Sequence, residues 1–175
     1  TFTASIINAS PDSIKTSGVF APQTLFKEIT NKVGINYVQE ERDFIDFNIQ
    51  KLLPHKLSEY GPGLAVGDLD GNGLDDLVVS GSFSFSGQLF LQQPNAGFIQ
   101  KKLLAADGNT NKRWEELGLL LIDLDKDGDL DIYAASGGYE NQNNTNAYQD
   151  RIYINNGAAE FSMDTVSLPR NFTSK

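Results

Sequence analysis

The chain has 175 residues, 39% of them apolar, with no cysteine and a formal charge of −9. That length supports a hydrophobic core, and the acidity disfavours nucleic acid and anionic membranes as partners. No apolar run approaches the roughly 20 residues of a membrane-spanning helix, and disulfide and thiol chemistry are excluded.

Residues 1–60 form an N-terminal segment. It begins at Thr1 rather than Met and shows no signal peptide, so we read the sequence as a processed chain or a piece of a longer one. Phe26, Val33, Ile35, Tyr37, Phe44, Ile45 and Phe47 supply enough apolar surface for a degenerate copy of the units that follow, or for strands completing a neighbour. His55 is the single histidine. With no nucleophile beside it, it reads as a structural hydrogen-bonder rather than a base.

The first repeat unit, 61–115, opens with the short apolar run Leu64-Ala-Val66 and continues into Asp68-Leu-Asp70-Gly-Asn72-Gly73-Leu74-Asp-Asp76. Leu77-Val-Val79 follows, then Ser80-Gly81, then Gln88-Leu-Phe-Leu-Gln92, then a turn at Asn95-Ala-Gly97-Phe98. Apolar runs this short, bounded by Gly and Asn, predict strands. The second unit, 116–175, repeats the order: Leu119–Ile122, Asp123-Leu-Asp125-Lys-Asp127-Gly128-Asp129-Leu-Asp131, Ile132–Ala135, Ser136-Gly-Gly138, Arg151-Ile-Tyr-Ile-Asn155, and a turn at Asn156-Gly157 leading to Phe161. Asp68 and Asp123 are 55 positions apart. Four strands per period of this size predict an all-β chain of propeller blades, each a four-stranded antiparallel repeat, within an incomplete or larger ring.

Both acidic loops fit D-x-D-x-[DN]-G-x-x-D. Carboxylates at this density repel one another unless a cation sits among them. Oxygen donors at alternating positions suit Ca²⁺, and glycine at the sixth position permits the turn around it. The predicted ligands are Asp68, Asp70, Asn72, the Leu74 carbonyl and Asp76 in one loop. In the other they are Asp123, Asp125, Asp127, the Asp129 carbonyl and Asp131. Asp75 falls at the non-ligating eighth position. An EF-hand would require Glu at position twelve and flanking helices. Val79 and Ala134 stand there, between β-forming runs. The remaining alternative is an Asp/Gly turn with no ion, but a turn needs only one or two such residues. The loops hold nine aspartates, so much of the acidity is a metal requirement.

Other features carry less. The polar stretch 139–150 inserts between two strands of the second unit; Tyr139, Tyr148 and its amides suggest either a sugar site or a solvated loop. Trp114, among Lys112, Arg113, Glu115 and Glu116, reads as packed beneath a loop. Glu115 and Glu116 are adjacent on a strand and so point to opposite faces, a poor acid–base pair. Asn8, Asn143 and Asn171 begin N-glycan acceptor triplets. Asp12-Ser-Ile14 and Asp164-Thr-Val166 resemble a short bacterial O-glycosylation motif.

The segments Gly63–Val79 and Leu121–Tyr133 resemble the FG-GAP/VCBS repeats of integrin-α-like propellers and of Bacteroidetes-type secreted or outer-membrane repeat proteins. The resemblance covers residues 61–161. It implies calcium-stabilised blades, an extracellular or bacterial cell-surface location, and usually a binding or scaffold role, although some relatives are enzymes whose catalysis lies outside these loops. No catalysis is expected of this chain, because its clustered carboxylates are committed to metal and its lone histidine has no nucleophile beside it. The expected partners are protein or glycan, together with further blades or other chains completing the ring. The alternatives are a propeller-fold polysaccharide lyase or glycosidase, whose acid and base would have to lie outside the metal loops, and a purely structural spacer.

Overall fold

A computed structural model describes residues 26–104 and 112–169. The acceptor triplets at Asn8 and Asn171 and the Asp12 motif lie outside the described residues. Eight strands form two sheets. The first contains β1 (Leu64–Gly67), β2 (Asp76–Val79), β3 (Gln88–Gln92) and β4 (Phe98–Lys102). The second contains β5 (Glu115–Ile122), β6 (Asp131–Gly137), β7 (Arg151–Asn155) and β8 (Phe161–Asp164). Each sheet is an antiparallel meander in sequence order. The expected all-β fold with four-stranded, blade-like units is therefore present.

The core lies between the two sheets. Val78, Leu89 and Leu91 of the first meet Ile132, Ala134 and Tyr153 of the second. Side chains alternate faces along a strand, so register fixes which rows meet. The first sheet contributes the row Ala65, Val78, Leu89. The second contributes Leu121, Ile132, Tyr153. Counted from each acidic loop, Leu121 corresponds to Val66, not to Ala65. The sheets therefore stack in the same sense, the front of one on the back of the other. Each Val or Leu removed from water in this layer is worth about 1.5–3 kcal/mol. At the closest approach, a Cβ on Gly67 would sit 2.9 Å from Cδ1 of both Leu121 and Leu130.

Same-sense stacking leaves two unmatched faces. On the first sheet it is the row Val66, Leu77, Phe90; on the second, Leu120, Tyr133, Ile152. Leu64 and Val66 remain 61% and 62% exposed, and Leu120 and Ile122 remain 55% and 40% exposed.

The N-terminal segment departs from expectation. Its described residues, 26–60, form no strand and hence no degenerate blade. They contain one helical turn, α1 (Thr30–Val33), and a 3₁₀ turn at Asp46–Asn48. The apolar residues there act as cover instead. Tyr37 meets Phe90 edge-on with ring centroids 5.6 Å apart, and the Arg42 guanidinium lies 5.3 Å from the Phe83 ring centroid. Asp46 is fully buried and accepts the main-chain N–H groups of Leu57 and Ser58. His55 meets the Tyr60 hydroxyl, as a structural histidine would.

A buried polar node joins the sheets. The Glu116 carboxylate accepts from Lys112 Nζ at 2.8 Å, Trp114 Nε1 at 2.6 Å, the Tyr153 hydroxyl at 2.7 Å and the Gly81 amide at 3.1 Å. The Glu116 amide donates back to the Gly81 carbonyl at 3.1 Å. A buried charge paired and hydrogen-bonded to this degree is costly to break. Glu115 diverges from it, as strand alternation requires. It packs towards Gly138 and Glu140.

Candidate metal centres

Each acidic loop connects the first two strands of its sheet. In the first, carboxylate oxygens of Asp68, Asp70 and Asp76 lie within 4.8 Å of one another; in the second, those of Asp123, Asp125 and Asp131 do so. These are positions one, three and nine of both loops. The loops are folded by matching hydrogen bonds. Gly73 and Gly128 donate to the first aspartate, at 2.8 and 3.3 Å. The Asn72 and Asp127 amides donate to Asp70 and Asp125, both at 3.2 Å. The Leu74 and Asp129 amides donate to the Asn72 and Asp127 side chains, at 2.7 and 3.0 Å. The sixth-position glycines take φ of +82° and +100°, a left-handed conformation open to glycine at little cost.

Asp76 and Asp131 are fully buried and hold more than the loop. Asp76 accepts the amides of Leu69 at 2.9 Å and Gln92 at 2.7 Å. Asp131 accepts those of Leu124 and Asn155, both at 2.9 Å. Each thus ties the start of its loop to the end of the third strand. Burial, and then the nearby Asp70 and Asp68 charges, push the Asp76 carboxyl above its ordinary value, against the pull of its two N–H donors. Burial also raises Asp125, with Asp127 and Asp131 adding to it. A cation among these groups would relieve that repulsion.

The remaining predicted ligands are placed differently. Asp127 is not among the converging carboxylates. The Asn72 amide donates to the Gln92 carbonyl at 3.0 Å, which fixes its orientation. The Asp129 carboxylate lies against Gly157, away from the cluster. Asp75 is exposed and outside the cluster. The donor set of each loop, all oxygen with three convergent carboxylates, fits a hard divalent cation.

The insertion 139–150 is organised otherwise than its sequence suggested. Tyr139 and Tyr148 are buried, and Tyr148 donates to the Asn141 carbonyl at 2.9 Å, so neither ring is a sugar platform. Trp114 is half-buried beside the insertion. The Arg151 guanidinium stacks 4.1 Å from its ring centroid. Sequence reasoning also missed the Glu116 node. Lys112 and Trp114 are its sequence neighbours, but Gly81 and Tyr153 lie 35 and 37 positions away, and no local pattern marks them.

Two stacked four-stranded meanders, each with an acidic loop between its first two strands, are consistent with propeller-like blades. A family model described as FG-GAP repeat matches residues 60–99, which span β1 to β3 with their acidic loop and the start of β4. No curated protein and no solved structure shows a match to the chain. Among the described residues, no helix is long and apolar enough to cross a membrane.

Proposed function

We propose that this chain is a calcium-stabilised extracellular binding or scaffold module of a cell-surface protein or complex, in which further blades or other chains complete the ring. The observation that carries this reading is the repeated convergence of three carboxylates within 4.8 Å at the same three positions of both loops. Ca²⁺ would be held by Asp68, Asp70, Asn72, the Leu74 carbonyl and Asp76, and by Asp123, Asp125, Asp127, the Asp129 carbonyl and Asp131. Bound there, it would offset part of the loops' negative charge and cross-link two strands of each sheet. Sites in extracellular modules bind Ca²⁺ at about 10⁻⁴–10⁻³ M, which suits an extracellular setting. The unmatched faces at Leu64 and Val66 and at Leu120 and Ile122 support the need for neighbours.

Calorimetry tests the metal. Two sites should titrate with Ca²⁺, and the melting temperature should fall when a chelator removes it. An unchanged melting temperature after complete metal removal would sink the stabilising role. Turnover of a polysaccharide by the purified chain would favour the lyase or glycosidase alternative instead.

A further inference from the structure

The 139–150 insertion borders an open cavity of about 630 Å³, within the 300–1,000 Å³ of small-molecule sites. Its chemistry is specific. Trp114 contributes an indole whose N–H is turned inward to Glu116 and on whose ring the Arg151 guanidinium stacks, 4.1 Å from the centroid. Gln142 and Asn146 supply amides that both donate and accept hydrogen bonds, while the Asn141 amide donates to the Arg113 carbonyl at 2.8 Å and the Thr145 hydroxyl to the Gln142 carbonyl at 3.0 Å. Two guanidiniums line it against one carboxylate, Glu140. Arg151 is committed to the protein, donating to Ser136 Oγ and to main-chain carbonyls including that of Asn146. Arg113 is exposed and has no carboxylate partner among the described residues. A guanidinium beside a cavity with no carboxylate partner among the described residues stands out in a chain of net charge −9.

We propose that this cavity binds a carboxylated sugar unit of the hexuronate kind. The Arg113 fork matches a planar carboxylate in two parallel N–H···O bonds. The Gln142 and Asn146 amides match ring hydroxyls, which also donate and accept. Glu140 accepts the Tyr139 amide at 2.8 Å and so sits fixed at the wall, where it accepts from a hydroxyl and repels a misplaced carboxylate. This deepens the binding-module reading by naming a ligand class. It does not depend on the loops holding calcium.

The chain contains a single tryptophan, so Trp114 fluorescence reports on the cavity directly. The intact chain in excess calcium is titrated with sodium D-glucuronate, D-glucose and sodium acetate, with amide NMR shifts mapping the contacts. Glucuronate should change the fluorescence and shift residues 113–114 and 140–147, binding at least tenfold more tightly than glucose or acetate. Arg113→Ala, at an exposed position, should weaken glucuronate about tenfold, and Arg113→Lys should recover only part of the loss. No saturable response to glucuronate overturns the proposal. So does glucose binding as tightly, because the carboxylate is then irrelevant, and so does acetate binding as tightly, because the site is then an anion site only. The calcium-dependent melting shift is read on the same samples. Its loss with glucuronate binding intact would refute the calcium reading and leave this one standing.

Discussion

The Asn155 side-chain amide donates to the main-chain carbonyl of Leu69 at 2.8 Å, across 86 positions of sequence. Asn155 ends β7 of the second sheet; Leu69 is the second residue of the acidic loop of the first. The same carbonyl accepts the Ala159 amide at 3.1 Å, and the Asn155 amide also reaches the Leu130 carbonyl at 3.1 Å. One side chain therefore links both candidate metal loops. Asn155→Ala should cost about 1–3 kcal/mol, because buried carbonyls lose a donor. Amide exchange should rise in residues 68–76 although the substitution lies in the other sheet. Exchange rising only around position 155 would show that the loops are not coupled through it.

The ninth-position aspartates should differ from the third. Asp76 and Asp131 each accept two backbone amides, so Asp76→Asn or Asp131→Asn sets an NH₂ group against one N–H. Each should lose about 1–3 kcal/mol in urea melts even with chelator present. Asp70→Ala and Asp125→Ala should lose stability only when calcium is present, and Asp75→Ala should be near neutral in both conditions. Equal losses of bound calcium in Asp75→Ala and Asp125→Ala would show that the assigned register is wrong.

Glu115 gives a pH signature. It is 2% exposed, Oε2 has no hydrogen-bond partner, and burial, then the Glu140 and Glu41 charges, push its carboxyl from 4.5 up to about 8. Between those values the folded chain keeps a proton that the unfolded chain releases. Its contribution is fully present below pH 4.5 and is lost as pH rises towards 8, with a slope of at most about 1.4 kcal/mol per pH unit. Glu140, raised first by burial, acts in the same direction. Glu115→Gln should flatten the slope and be more stable than the parent at pH 9, in urea melts at saturating calcium. An unchanged slope would show that Glu115 ionises normally.

The unmatched faces predict self-association. In excess calcium, light scattering from the purified chain should rise with concentration, and pairing Leu120→Lys with Ile122→Lys should reduce it. A parent chain that stays monomeric and unfolds cooperatively would contradict the need for neighbours.

Much of the fold was legible because strand periodicity is local. Gln88–Gln92 and Arg151–Asn155 were delimited by alternation and flanking Gly and Asn, and they are β3 and β7. The convergence of Asp68 with Asp70 and Asp76 followed from motif spacing. The amide clamps of Asp76 and Asp131 were hidden, since an aspartate looks the same in sequence whether it faces a cation or two N–H groups. Residues 26–60 misled because apolar content does not distinguish a strand from a cover. Tyr37 packs on Phe90 without pairing to β3. Tyr139 and Tyr148 misled for a related reason. An aromatic in a polar insertion can serve as the insertion's own small core.

Front-to-back stacking also bears on how such a chain can lengthen. A face-to-face pair of sheets is closed to growth, because a third copy would meet a surface of the wrong kind. Here the row at Leu121 meets the row at Ala65, so a duplicated unit spliced between β4 and β5 would find a complementary surface on each side. Unit number can then change by in-frame duplication with no compensating change in the layers already packed.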